Sequence, residues 1–214
     1  MLEQIQSVIF DLDGTLVDSM WLWHDIDVEF LEQRGLTLPD TYQQEIEGMS
    51  FTETAAYTKK LFHLSESVEE LKEIWNRMAI EKYTYEVHFK PGAKRFLQHC
   101  RRQQIPVGIA TSNSRELVGA VAKSLHFEDY IQEIVTACEV ERGKPAPDVY
   151  LEAASRLGVD PCRCLVMCQW GSLPEKTLGC GYAPWKMNFP LGNRKKNGGW
   201  QIIILRITMK FSLN

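Results

Sequence analysis

The sequence predicts an α/β protein: a three-layer, Rossmann-like, doubly wound parallel sheet with an inserted α-helical domain. Short apolar segments that suit buried strands alternate with segments of helical period, which is typical of parallel sheets whose strands are joined by helices. A purely helical block over about residues 16–86 separates the first strand from the others. Polar residues follow several predicted strands, at the sheet edge where such folds bind ligands.

The first strand is short and is followed by the helical block. Residues 5–10 form the strand, and a helix over 19–34 carries large apolar groups and ends near Gly35. Further helical segments are predicted at 40–48, 51–63 and 67–84. Because no part of the block has a strand pattern, we interpret it as an inserted domain of the kind that often acts as a lid.

The rest of the predicted sheet comes from a regular alternation that begins at Pro91-Gly92. Helices are predicted at 92–103, 115–125 and 147–157. Strands are predicted at 105–110, 132–136 and 164–167. This order of elements indicates parallel strands with helical crossovers.

The composition is that of an ordinary soluble globular protein, with 214 residues, 44% hydrophobic and 24% charged. A net charge of -4 gives no basic field for nucleic acid, and no stretch has the length of a membrane span. The start of the chain does not read as a signal peptide, and six cysteines are few for this length. We therefore expect a reduced cytoplasmic monomer with no nucleic-acid or membrane partner.

Two acidic residues follow the first strand. Asp11 and Asp13 stand two positions apart, before a glycine turn, with no basic residue nearby in sequence. On an extended chain, alternate side chains share one side, which would place the two carboxylates together. Unpaired acids at a ligand-binding edge are costly unless they bind a cation or react, although a role in the turn or as a helix cap is the structural alternative.

Two more motifs follow later strands. Thr111-Ser112-Asn113 comes after the strand at 105–110, where it could bind a phosphate, cap the next helix, or do both. Lys144 lies in the loop Gly143-Lys144-Pro145-Ala146-Pro147-Asp148, where the alternative to a functional role is a solvated surface lysine. The cysteines Cys162, Cys164 and Cys168 lack a second well-spaced pair, so they do not favour a metal cluster.

With these three motifs in this order, residues 1–166 resemble the haloacid dehalogenase superfamily. The similarity is to its phosphatases and β-phosphoglucomutase-like members, which have a helical cap after the first strand. Asp11-Leu12-Asp13-Gly14-Thr15 resembles the first motif, Thr111 the second and Lys144 the third. The resemblance implies a core over 1–15 and 87–167 with a cap over 16–86.

The resemblance also implies a role for each site residue. Asp11 would be the nucleophile that forms an aspartyl-phosphate, and Asp13 the acid and base. Both would ligate Mg²⁺, Asp13 through its backbone carbonyl. Thr111 would hydrogen-bond the phosphoryl oxygens and Lys144 would neutralise their charge. The remaining candidates for substrate binding are Thr15, Ser112, Asn113, Trp23, His24 and Ser50, although Trp23 and His24 could equally pack within the cap helix.

The implied substrate is a small phosphorylated metabolite, either a sugar phosphate or a nucleotide-like compound. Phe51 stands where the sugar-phosphate mutases commonly have an arginine that grips a second phosphate, and Trp23 stands where they have a histidine. Both departures favour hydrolysis over mutase activity. A β-phosphoglucomutase-type mutase and an inactive relative that binds a phosphorylated ligand remain alternatives.

The fourth motif of the superfamily, an acidic pair after the strand at 164–167, is missing. The chain reads Met167-Cys168-Gln169-Trp170-Gly171 instead. Back-translation one base earlier permits Asp-Val-Pro-Val-Gly, and further on Ala-Gly-Met-Arg-Val, which resembles the missing motif and the elements after it. Our hypothesis is that a small deletion shifted the reading frame near Val166.

This hypothesis predicts an incomplete C-terminal part of the sheet and an aberrant, poorly ordered tail over 168–214. It also predicts a Mg²⁺ site without one of its anionic ligands, and hence weak or absent phosphatase activity. Resequencing the gene tests it, because an intact frame through Trp170, shared with close relatives, would contradict a shift.

Overall fold

Among the described residues, four parallel strands form the main sheet: β1 (Ser7–Phe10), β4 (Val107–Thr111), β5 (Glu133–Thr136) and β6 (Cys164–Met167). Their order across the sheet is β5-β4-β1-β6. The computed structural model describes residues 5–144 and 146–168, together with the backbone of 183–184 and 203–204. Residues 19–87 form one compact unit, and the described residues on either side of them form the unit that contains the sheet.

Both faces of the sheet are covered by helices, as the predicted three-layer fold requires. Ile9 packs into a buried cluster with Val149 and Ala153 of α7 (Asp148–Arg156). Phe10, which alternation places on the opposite face, makes an edge-to-face contact with Phe96 of α5 (Ala93–Arg102), at 5.9 Å between ring centroids. The predicted doubly wound α/β fold is therefore confirmed.

Gly108 allows α7 to end close to the sheet. A Cβ atom built at this position on β4 would lie 3.1 Å from Leu157 Cδ1, so a larger residue would push away the side chain that follows the helix. The helix between β4 and β5, α6 (Arg115–Leu125), has the predicted bounds, and its cap is Ser114, whose hydroxyl accepts from Leu117 N–H at 3.3 Å. The described residues of this unit also include three short 3-10 turns, at Phe127–Asp129, Ala137–Glu139 and Pro161–Arg163.

A small antiparallel ladder was not predicted. β2 (Val17–Asp18) pairs with β3 (His88–Phe89), and Lys90 N–H extends the pairing by donating to Leu16 O at 3.0 Å. The expectation that the block over 16–86 contains no strand is thus wrong at Val17 and Asp18. Strands of two residues carry too few side chains to show an alternating pattern.

The unit formed by residues 19–87 is helical. Its helices are α1 (Leu22–Glu32), α2 (Tyr42–Glu45), α3 (Phe51–Phe62) and α4 (Val68–Tyr85). α1 and α4 pack through buried aromatic groups, with the rings of Phe30 and Trp75 edge to face at 5.7 Å. Ser50 and Ser67 begin α3 and α4 with reciprocal capping boxes, so both helix starts follow from the local sequence.

The tail predicted over 168–214 lies outside the described residues, except for Cys168 and two strands. These strands, β7 (Ala183–Pro184) and β8 (Ile203–Ile204), pair antiparallel. In the part of the chain that is described, no helix combines the length and the apolar character needed to cross a membrane.

Candidate active site

The first carboxylate of the predicted pair lies directly after β1, at the point where the strand order reverses. β1 ends at Phe10, and Asp11 N–H donates to Met167 O of β6 at 2.8 Å. From β1 the chain goes first to β4 on one side and later to β6 on the other. Doubly wound sheets bind ligands in the crevice that such a switch point leaves at the carboxyl ends of the strands.

A tight turn begins at Leu12, between Asp11 and Asp13. The N–H groups of residues 15–17 all donate to Leu12 O, at 3.3, 2.9 and 3.1 Å. Gly14 has a φ of +69°, which a residue with a Cβ atom adopts only with strain. Both carboxylates lie beyond the last residue of β1, so their placement together by strand alternation stays a prediction.

A lysine distant in sequence holds the Asp11 carboxylate. Lys144 Nζ lies 2.6 Å from Asp11 Oδ1 and also donates to Ala110 O at 2.9 Å. The side chains of the pair are only 9% and 12% exposed for Lys144 and Asp11, so water screens their interaction weakly. The alternative interpretation of Lys144 as a solvated surface residue is thus wrong.

Burial dominates the ionisation of Asp11. It raises the pKa of the carboxyl above the usual aspartate range, while the charge and the hydrogen bond of Lys144 act in the opposite direction. The negative charge of Asp13 raises this pKa further. Lys144 is therefore the main group that favours an ionised Asp11.

Asp13 is held from the end of β4. Asn113 Nδ2 donates to Asp13 Oδ2 at 3.2 Å, and Asn113 N–H donates to Thr111 Oγ1 at 3.1 Å. Thr111 is buried as the last residue of β4, whereas Ser112 is exposed. The motif after β4 thus reaches the motif after β1, while capping of α6 is done by Ser114 and not by residues 111–113.

Thr15 is buried within the turn that begins at Leu12. Its hydroxyl oxygen has no hydrogen-bond partner among the described residues. A buried, unsatisfied hydroxyl is costly, so this group is available to a bound water or ligand.

Three predicted substrate-binding residues, Trp23, His24 and Ser50, belong to the helical unit formed by residues 19–87. Trp23 is 40% exposed, and its ring lies edge to face with that of Phe51, at 5.6 Å between centroids. His24 is exposed on the same helix. The Ser50 hydroxyl accepts from Glu53 N–H at 3.3 Å, so this side chain already caps α3.

One residue in the lysine's surroundings was missed by the sequence analysis. Tyr150, on α7, is buried, and its ring centroid lies 4.9 Å from Lys144 Nζ. An aromatic residue in an amphipathic helix is usually a core residue, and no sequence signal distinguished this tyrosine from one.

The described residues offer two carboxylates for a cation, and no more. Among them, no group of three or more His, Cys, Asp or Glu side chains has the spacing of a metal site. At the end of β6, Met167 and Cys168 are buried where the superfamily would begin its acidic pair. Mg²⁺ keeps several waters and often takes only one or two carboxylates besides substrate phosphate, so the Asp11 carboxylate and the backbone carbonyl of Asp13 form a minimal donor set that fits it.

Comparison with known proteins assigns the chain to an enzyme family. The family profile of haloacid dehalogenase-like hydrolases matches residues 8–167. The chain belongs to this family, and by family it is an enzyme of the phosphatase type. The matched segment ends with β6, directly before the missing acidic motif.

Two relatives with curated names are phosphatases. The chain is 32% identical over 176 residues to hexitol phosphatase A of Escherichia coli (strain K12), covering 80% of this chain and 79% of the relative. It is 30% identical over 161 residues to the bifunctional riboflavin kinase/FMN phosphatase of Arabidopsis thaliana, covering 75% of this chain but only 42% of that longer protein. The substrates in these names are those of the two relatives.

A solved structure shares the fold. The β-phosphoglucomutase of Clostridium difficile superposes with a TM-score of 0.59 at 20% identity, covering 78% of each chain. The likeness at this identity concerns the fold alone.

Proposed function

We propose that this protein is a Mg²⁺-dependent phosphoric monoester hydrolase that acts on a small phosphorylated metabolite through an aspartyl-phosphate. The observation that carries the proposal is the contact of 2.6 Å between Lys144 Nζ and Asp11 Oδ1 at the carboxyl end of β1. A buried carboxylate with a buried cation at a sheet switch point suits nucleophilic attack on phosphorus.

Asp11 has one oxygen bound and one available. Among the described residues, both donors to its carboxylate, Lys144 Nζ and Leu12 N–H, contact Oδ1. Oδ2 would attack phosphorus while the bond from phosphorus to the substrate's ester oxygen breaks. Lys144 neutralises the charge that remains on the carboxylate and the transferred group.

Asp13 would move the proton in both half-reactions. Its carboxyl gives a proton to the departing ester oxygen and later takes one from the water that attacks the aspartyl-phosphate, which releases inorganic phosphate and restores Asp11. The amide of Asn113 orients this carboxyl by donating to Oδ2. Thr111, Ser112 and Thr15 are the proposed hydroxyl donors to the phosphoryl oxygens.

The proposed cation site consists of the Asp11 carboxylate and the backbone carbonyl of Asp13. Bound Mg²⁺ supplies positive charge to the phosphoryl oxygens. Since the residue after β6 is Cys168 and not an acid, the site has fewer anionic ligands than the superfamily uses. We therefore propose that turnover is low compared with that of intact relatives.

The substrate class that we propose is a sugar phosphate or a nucleotide-like phosphate. The names of the two phosphatase relatives, one for hexitols and one for FMN, support this class. Phe51 and Trp23, which replace the mutase arginine and histidine, form an uncharged aromatic contact. This supports hydrolysis over a mutase, which must hold a second phosphate.

The test is hydrolysis of p-nitrophenyl phosphate with and without Mg²⁺ by the parent, Asp11→Asn and Asp18→Asn. Asp18→Asn is the matched control, because Asp18 is an exposed acid of the same unit with a loose contact of 3.5 Å to Lys90. We expect slow, Mg²⁺-dependent hydrolysis that Asp11→Asn abolishes and Asp18→Asn leaves intact. Equal rates for all three proteins would contradict the proposal.

A gain-of-function variant tests the account of the missing motif. Cys168→Glu combined with Gln169→Asp restores an acidic pair after β6, and we expect Mg²⁺ affinity and turnover to rise, on the order of tenfold or more. If the double variant stays as slow as the parent and inorganic phosphate still binds in a calorimetric titration, an inactive phospholigand-binding relative is the better description. Conversion of a sugar bisphosphate to its isomer would favour a mutase.

A further inference from the structure

Tyr150 forms a third contact of the lysine that holds the nucleophile. Lys144 Nζ donates to Asp11 Oδ1 and to Ala110 O, and it lies 4.9 Å from the centroid of the Tyr150 ring. An ammonium has three N–H donors, so the two oxygens leave one that can face the negative surface of an aromatic ring.

The ring is held rigidly. Tyr150 is 1% exposed and belongs to the buried cluster that joins α7 to the sheet, together with Val149, Ala153 and Ile9. Its backbone N–H donates to Pro147 O at 2.9 Å, in the first turn of α7. A ring fixed in the core presents a fixed surface to a lysine that comes from a loop.

Lys144 contacts the ring of Tyr150. The hydroxyl oxygen of Tyr150 has no hydrogen-bond partner among the described residues, although it is buried. No hydrogen bond of the described structure thus ties this hydroxyl to the site, and the ring surface is the part of the side chain that meets the ammonium.

We propose that Tyr150 is a positioning residue, whose ring surface keeps the Lys144 ammonium on Asp11 Oδ1. Without the attraction of the ring, the flexible lysine stem would sample rotamers that leave the carboxylate. This inference rests on the proposed function, since it assigns Tyr150 a part in preparing the nucleophile.

The experiment changes the charge distribution of the ring and keeps its shape. Tyr150→Phe is compared with the full chain that carries pentafluorophenylalanine at position 150, since fluorination withdraws the negative charge from the ring surface. Phe127→pentafluorophenylalanine is the matched control, because Phe127 is equally buried in the same unit and contacts Phe89.

Two measurements are made on each protein. The first is the exchange rate of the Lys144 ammonium protons by ¹H–¹⁵N NMR, with Lys144→Arg for assignment. The second is kcat and KM for p-nitrophenyl phosphate. We expect Tyr150→Phe to keep slow exchange and parental kcat, and the fluorinated ring to speed exchange and lower kcat about tenfold with little change in KM.

Equal exchange rates and equal kcat in Tyr150→Phe and its fluorinated counterpart would overturn the proposal, because a ring that only packs is insensitive to fluorination. Faster exchange of the Lys144 ammonium protons and a lower kcat in the Phe127 control would also overturn the proposal. The exchange measurement does not need turnover. A failure of Asp11→Asn to abolish hydrolysis would refute the proposed function while the exchange rates still report on Tyr150.

Discussion

Lys144 and Asp11, which are 133 positions apart in the chain, meet through a contact of 2.6 Å between Nζ and Oδ1. The lysine comes from the loop before α7, and the aspartate follows β1. A buried carboxylate is stable as an anion only when a cation or several donors accompany it. This pair is therefore the electrostatic centre of the proposed site.

Replacing Lys144 with methionine should remove the charge and keep most of the stem. We expect phosphatase activity to fall about 100-fold to 1,000-fold, because a preorganised positive group at the reacting phosphate is lost. Lys123→Met, at an exposed position on α6, is the control and should retain parental activity. Activity of Lys144→Met within twofold of the parent would show that the ion pair has no part in the reaction.

Asn113 orients Asp13, so its loss should affect proton transfer. Asn113→Ala removes the donor that contacts Asp13 Oδ2 at 3.2 Å, and we expect kcat to fall about tenfold through a less well placed acid and base. Asn113→Asp keeps the shape but places a carboxylate against Asp13, so a larger loss is expected. The steady-state rates of both variants check this, and an Asn113→Asp variant as active as the parent would contradict it.

The buried hydroxyl of Tyr150 should lower the free energy of unfolding. Because it has no hydrogen-bond partner among the described residues, Tyr150→Phe should raise the free energy of unfolding by about 1 kcal/mol. Tyr42→Phe is the matched comparison, since the Tyr42 hydroxyl shares a hydrogen bond of 2.6 Å with Thr58 Oγ1, and its removal should lower the free energy by about 1 kcal/mol. Urea unfolding of both variants measures the contrast, which would be refuted by changes of the same sign.

Glu139 should make the sheet-containing unit sensitive to acid. Burial alone would raise its pKa, but hydrogen bonds from Arg156 and from Thr136 lower it from 4.5 to about 2. Since the folded pKa lies below the unfolded one, the stabilisation is present above pH 4.5 and disappears as the pH falls toward 2.

Glu139→Gln measures this contribution. The parent should exceed the variant in free energy of unfolding by on the order of 2 kcal/mol at pH 7, and the difference should shrink steadily between pH 4.5 and pH 2. Denaturant titrations of both proteins between pH 2 and pH 7 measure these free energies of unfolding. A difference that stays constant with pH would mean that the ionisation of Glu139 is not linked to folding.

The main sheet could be predicted from sequence because its strands are continuous apolar runs between helical segments. Val107–Thr111 and Cys164–Met167 are buried on both faces, so every residue contributes to the signal. β2 and β3 were not predicted, since pairing of two residues depends on where the chain leaves and returns to the sheet and not on a local pattern.

The residues of the candidate site that belong to sequence motifs could be predicted. Asp11, Thr111 and Lys144 follow strands or lie in a distinctive loop, and parallel strands bring their ends together. The contact between Asn113 and Asp13 depends on side-chain rotamers, which no sequence pattern specifies. Tyr150 was missed because its ring packs in the core as well as against Lys144, and the sequence pattern shows only the packing in the core.

The most direct test of the central claim is detection of the aspartyl-phosphate. The protein is mixed with p-nitrophenyl phosphate and Mg²⁺, quenched in acid within one turnover, and treated with borohydride, which reduces an acyl phosphate to an alcohol. We expect mass spectrometry of the peptide that contains Asp11 to show homoserine at this position in the parent, and no change in Asp11→Asn. Reduction at another residue, or hydrolysis of the ester with an unmodified Asp11, would contradict the assignment of Asp11 as the nucleophile.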